Sequence, residues 1–172
     1  MSLSANEIQA LATKAARGAG FPPGQAESYG RATVMHLVAG RDPQPLRDAL
    51  AQVDNSPILR LPLLVDDILA ACAAVKGPAE LTLNPDDSAL APSYAELAPV
   101  RLRDCTLITT GEQPRLRVDA ELDTPWRPKL PPRLDLPARL RATLNELAQN
   151  TYVPASEASR LRGAGAGLSD ND

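Results

Sequence analysis

At Gly77-Pro78 the apolar residues of this chain change their spacing. Before that dipeptide they recur every three or four residues, as on one face of a helix; after it they alternate, as on a strand. The chain therefore cannot be an all-helical bundle or an all-β sandwich. Its order of helices, then strands, then one more helix predicts an α+β fold. The expected architecture is an N-terminal helical layer of about four helices, a small antiparallel sheet, a C-terminal helix and an irregular tail.

Local signals place the elements. Ser4-Ala-Asn-Glu7 is a capping box, in which the serine oxygen accepts from the Glu7 amide while the glutamate reaches back. Ile8, Leu11, Ala12, Ala15 and Ala19 follow at helical spacing, and Gly18 and Gly20 are expected to end this helix. A second helix is expected from Gln25 to Val38, stopping at Gly40 and carrying the chain's one histidine, His36. Asp42-Pro43 is a cap followed by a proline at the first helical position, and Leu46, Ala49, Leu50 and Val53 mark that helix's inward face. Asp54-Asn-Ser-Pro57 closes it. A fourth helix is expected to start at Pro62 and to reach Lys76. It is apolar nearly all round, which predicts burial on several sides, at the centre of the helical layer or in a dimer interface.

Glu80–Asn84 and Val100–Thr110 are strand candidates, separated by what reads as a long loop to Pro99. The alternation slips at Asp104-Cys105, as a bulge would cause. Arg115 to Leu122 alternates without error, with Leu116, Val118, Ala120 and Leu122 inward, predicting an antiparallel hairpin with one wet face. Prolines 125, 128, 131, 132 and 137 then exclude helix and central strand, so this stretch is an extended crossing with Trp126 as an anchor. Pro137 opens the last helix, with Leu140, Leu144 and Leu147 inward. The whole reads as one domain, 1–172: a helical part to 78, strands over 79–123, the crossing at 124–137, a helix at 138–150 and a tail at 151–172.

Composition narrows the chemistry. Only 3% of residues are aromatic, so the core must be built from Leu, Val, Ile and Ala. A net charge of −3 without a basic run argues against nucleic acid as a partner. No apolar stretch reaches the ~20 residues needed to span a bilayer, and the first residues lack a secretory pattern, so a cytoplasmic protein with reduced thiols is expected. His36 stands alone, without the clustered ligands of a metal site, and is expected on a helix surface or half-buried. Cys72 and Cys105 read as core fillers. Asp66 and Asp67 suit the first turn of a helix, and Asp86-Asp87 reads as turn chemistry. No cofactor motif is present.

The tail is the stretch that packing does not explain. Pro154 is expected to open a short helix through about Arg162 with Gly163 as its cap, which would place Ser156 and Ser159 on one face beside Arg160. Gly163, Gly165 and Gly167 can bring backbone amides close to an anion. Their spacing matches neither the dinucleotide pattern nor the P-loop. Ser156, Ser159, Arg160, Gly163, Gly165 and Gly167 are therefore the candidate ligand-binding residues.

Both ends of the chain resemble an uncharacterised, mainly proteobacterial domain-of-unknown-function family. The resemblance rests on Glu7-Ile with Lys14-Ala-Ala-Arg-Gly-Ala-Gly20, and on Tyr152-Val-Pro-Ala-Ser-Glu-Ala-Ser-Arg-Leu with the glycine run and Asp-Asn-Asp172. It implies no assigned activity. Ala15 to Val38 is also similar to the opening helices of the malate/L-lactate dehydrogenase family that lacks a Rossmann domain. Where that family carries a histidine-containing segment, this chain reads Gly40-Arg-Asp-Pro43, so the chemistry of that family is absent. The functional expectation is a cytosolic bacterial protein binding a small anionic ligand or a protein partner through its C-terminal segment, and self-associating. The alternative is a small enzyme using Ser156 or Ser159 with Arg160.

Overall fold

In the computed structural model, which describes residues 2–151, Gly77-Pro78 is the boundary between a helical layer and a sheet. The chain begins with a two-residue strand, β1 (Ser2–Leu3). The capping box starts α1 (Ala5–Ala19): the Glu7 amide donates to Ser4 Oγ at 3.2 Å, and the Glu7 carboxylate accepts from the Ser4 amide at 2.7 Å. Gly20 caps the helix in the left-handed region at φ 104°, but Gly18, expected to help end it, lies inside. A Cβ on Gly18 would stand 1.9 Å from the carbonyl oxygen of Leu147 in α7 (Ala138–Gln149). Gly30, within α2 (Pro23–Val38), plays the same part against α1, where a Cβ would meet Thr13 Oγ1 at 2.1 Å. α1 is thus packed between α2 and α7 through residues too small to keep them apart, with Ala12, Ala15 and Ala16 fully buried.

The Asp42 cap forms, its Oδ1 accepting from the Gln44 amide at 3.0 Å, ahead of α3 (Gln44–Ala51). The single helix expected from Pro62 is instead three pieces: α4 (Pro57–Arg60), a tight 3-10 turn at Leu61–Leu63, and α5 (Leu64–Val75). Pro62 has no N–H for the Ile58 carbonyl and its ring crowds that oxygen, so the turn tightens. α5 is also not buried on several sides. Leu64, Ile68 and Cys72 face inward, while Leu63 and Val75 are 64% and 59% exposed. The helix lies on the sheet rather than at the centre of the helical layer. None of the helices among the described residues is long and apolar enough to cross a membrane.

The sheet has the order β2 (Ala79–Thr82), β4 (Arg115–Pro125), β3 (Val100–Ile108), with both pairings antiparallel. Leu116 opposite Leu107, Val118 opposite Cys105 and Ala120 opposite Leu102 form its inner face. The outer face is polar, as expected of a hairpin with one wet side. There Arg115 meets Glu80 at 2.8 Å, and Arg103 lies 3.4 Å from both Asp119 and Glu121. Such exposed pairs contribute about 0–1 kcal/mol each and serve mainly to keep that face wet. Leu102 pairs with Ala120 and Asp104 with Asp119, so Arg103 is the extra residue of the bulge, one position before the expected slip. Leu122 is 40% exposed, because β4 runs past the covered part of the sheet there.

The expected long loop to Pro99 contains α6 (Ala91–Ala95), whose Ala91, Ser93, Tyr94 and Ala95 are buried. The proline-rich crossing is extended, as predicted, and ends in β5 (Leu134–Asp135), which pairs antiparallel with β1. Trp126 is no anchor: its indole is 48% exposed, although its backbone amide donates to the Pro99 carbonyl at 2.8 Å.

Gly18→Ala should destabilise the protein by about 1–3 kcal/mol, because the obstacle is backbone and not a movable side chain. Gly24→Ala, in a helical position with nothing within 4 Å, should be neutral or stabilising by up to about 1 kcal/mol. Urea unfolding of the two variants beside the parent chain checks both signs.

Candidate functional site

α6 is too short to hold itself together and is fixed by a polar cluster. Arg41, just beyond α2, pairs with Glu96, just beyond α6, through two hydrogen bonds of 2.8 and 2.5 Å. The same guanidinium donates to Ser93 Oγ at 3.0 Å. His36 Nδ1 lies 2.8 Å from that hydroxyl, and His36 Nε2 lies 2.6 Å from the Asp42 carbonyl oxygen. A carbonyl only accepts, so Nε2 carries the proton and, in the neutral ring, Nδ1 accepts from Ser93. Burial holds the His36 pKa below its ordinary value, against the opposing pull of the Asp42 carbonyl.

A serine donating to a histidine is the geometry of an activated nucleophile. Here it is not reachable. Ser93 exposes none of its surface and His36 about 1%, and the Arg41 donor occupies a lone pair of the hydroxyl. The expectation of a surface or half-buried His36 is therefore corrected: the ring is buried, and it joins two elements 57 residues apart. Asp87 is likewise more than turn chemistry. It is 5% exposed and receives Arg60 Nε and Nη2 at 3.0 and 2.6 Å, clamping the approach to α6 onto α4. Asp66 and Asp67 are exposed in the first turn of α5, as expected.

The accessible chemistry lies next to this cluster. A cleft of about 830 Å³ opens between α2, the turn from α6 to β3, and the proline-rich crossing. Val34 and Met35 form one wall, Leu97 and Pro99 the floor, and Trp126 and Leu130 the other wall. Arg31 and Arg127 stand at its edges, and neither has an ion-pair partner among the described residues. A smaller hollow of about 400 Å³ shares Met35, Glu96 and Trp126 with it and contains Cys105. Burial, and then the nearby Glu96 carboxylate, push that thiol up to about 11, so it is no nucleophile near neutral pH. Cys72 is buried beneath the sheet, its Sγ 3.6 Å from the Val118 carbonyl. The described residues include no group of three or more His, Cys, Asp or Glu able to hold a metal ion.

The candidates Ser156, Ser159, Arg160, Gly163, Gly165 and Gly167 lie outside the described residues. The cleft was not anticipated. Its one sequence signal is Trp126, a large aromatic set among prolines that leave it no secondary structure to pack within.

Residues 3–70 match the model of a family described as a protein of unknown function (DUF3726). That stretch carries the N-terminal half of the resemblance, Glu7 to Gly20, and runs from β1 into α5; Trp126 and the crossing fall beyond it. No curated protein and no solved structure matches the chain.

The buried histidine makes stability depend on pH. The unfolded chain takes up a proton near the ordinary value of 6.5, and the folded chain only at lower pH. His36 therefore favours folding fully above that value, and the advantage is lost as pH falls toward the folded pKa. The urea midpoint should drop between about pH 7 and about pH 5, and His36→Gln should flatten that dependence while lowering stability at neutral pH by about 1–3 kcal/mol.

Proposed function

We propose that this chain is a binding protein, and that its recognition surface is the cleft between α2, the α6–β3 turn and the proline-rich crossing. The observation that carries this reading is Trp126. Trp126, 48% exposed, forms the wall of a concavity, while every other aromatic residue among the described ones is buried. The cleft falls within the roughly 300–1,000 Å³ of small-ligand sites, and apolar walls with a few charged groups at the edge are their usual composition. Catalysis has less support. The one serine–histidine pair among the described residues is sealed from solvent, and the thiol beside the cleft is held protonated.

The chain contains a single tryptophan, so its fluorescence reports on this cleft alone. Anilinonaphthalene sulfonate, an apolar ring system with one negative charge, should bind and perturb the Trp126 emission. Leu130→Glu, on the wall, should weaken that binding at least about tenfold without affecting the fold, since Leu130 is already 37% exposed. Binding that is indifferent to Leu130→Glu would place the dye elsewhere and remove the reading.

A second reading, self-association, is favoured by the exposed apolar surface of α5 and the turn before it: Leu63, Ala70, Ala73 and Ala74, with Val75 at the helix end. Exposed apolar surface of this kind commonly marks a contact between chains. Sedimentation velocity should then show a dimer that the double change Leu63→Glu and Val75→Glu converts to monomer; a monomer at every concentration would exclude it.

A further inference from the structure

We infer that the ligand of this cleft is an amphipathic anion, with its apolar part against Trp126 and its charged group held around Arg31. The inference rests on the cleft being the binding site and adds the chemical class of what it takes.

A second cavity, of about 880 Å³, lies between α1 and α2 and is polar where the first is apolar. α1 lines it with Gln9, Lys14 and Arg17, and α2 lines it with Glu27 and Arg31. Three cations face one carboxylate. Gln9 and Arg31 line both cavities, so the polar and apolar spaces adjoin at the Arg31 side chain. The backbone sets up this meeting. Gly30, the residue before Arg31, lets α2 approach Gln9 and Thr13 of α1 as no other residue could. The cations of the two helices therefore lie along one cavity.

Arg31 is also available. Glu27 is four residues earlier on the same helix, the spacing at which a carboxylate and a guanidinium ordinarily pair, yet no ion pair joins them. A guanidinium presents two parallel donors to a carboxylate or a phosphate, a match that a lysine cannot reproduce. The polar cavity alone would hold a simple anion weakly, because exposed cations are screened by water and salt. The apolar cleft alone would not distinguish a charged from a neutral ligand. Joined at Arg31, they select a molecule with both parts.

The test uses the full chain and follows Trp126 emission, with each probe kept below its micelle concentration. Dodecyl phosphate and dodecanoate should bind saturably, and both at least about tenfold more tightly than dodecanol. Arg31→Gln should remove that preference for the anions while leaving dodecanol binding unchanged, and Arg31→Lys should restore only part of it. Whichever anion binds more tightly assigns the head group as phosphate or carboxylate. If dodecanol binds as tightly as the anions, or if Arg31→Gln leaves the preference intact, the inference is wrong and the apolar cleft alone survives. If inorganic phosphate binds as tightly as dodecyl phosphate, the apolar cleft contributes nothing and the inference also fails. If none of the alkyl probes perturbs Trp126, both the inference and the cleft as a binding site fall.

Discussion

The hydroxyl of Ser93 is where three separate stretches of chain meet: α6, which carries it, the end of α2 through His36, and the following turn through Arg41. A five-residue helix cannot sustain itself in water, since nucleating a helix costs more than one turn of hydrogen bonds returns. α6 exists because its apolar side fills the space between the helical layer and the sheet, and because Ser93 and the following Glu96 are met by His36 and Arg41. Glu96 and Leu97 to Pro99 follow directly, so the floor of the cleft is set by the same contact. Removing the hydroxyl would leave a buried imidazole nitrogen and a guanidinium N–H short of a partner. Each buried polar group so orphaned costs about 1–3 kcal/mol.

The charged pairs around α6 fix position more than they add stability. Arg60 on Asp87 and Arg41 on Glu96 are partly desolvated, and the cost of taking such charges from water offsets much of their attraction. What they exclude is any other seating of this segment, because a shifted α6 would strand a carboxylate. The two core tyrosines show how narrow the margin is. Tyr29 donates its hydroxyl to the Leu46 carbonyl at 3.0 Å, whereas Tyr94 Oη, equally buried, has no partner among the described residues. The ring of Tyr94 is retained for the volume it fills.

The parts of this fold that were legible in the sequence are those in which neighbouring residues decide the outcome. The Ser4–Glu7 box, the Asp42 cap and the alternation from Arg115 to Ala120 are local signals, and each formed where it was read. The misreadings share a cause: the deciding partner is far away in the chain. Gly18 looks like a helix terminus until Leu147 is brought against it. Leu90, Ala91 and Tyr94 do carry a helical spacing, but Pro92 and the short run hide it, and α6 is buried by α2, α5 and the sheet, which come from elsewhere in the chain. His36 looks solitary because its hydroxyl partner lies 57 residues on. The cleft was illegible for the same reason, since its walls come from α2, the α6–β3 turn and the crossing, which nothing in the linear pattern places together.

Why Trp126 remains exposed follows from the prolines around it. Pro125 ends β4, and Pro128, Pro131 and Pro132 lack the amides needed to continue the sheet, so the crossing leaves it as an extended strap. The Trp126 amide is spent on the Pro99 carbonyl, which ties the strap to the α6–β3 turn. The Trp126 side chain, half exposed, lines the cleft together with Val34 and Met35 of α2. One wall of that cleft belongs to the stretch that matches the uncharacterised family and the other does not, and the two are held in register through α6. A change at buried Ser93 or half-buried Arg41 would therefore act on the cleft by moving the floor between them. The distance between Trp126 and Arg31 is set by the same polar joint that keeps the helical layer on the sheet.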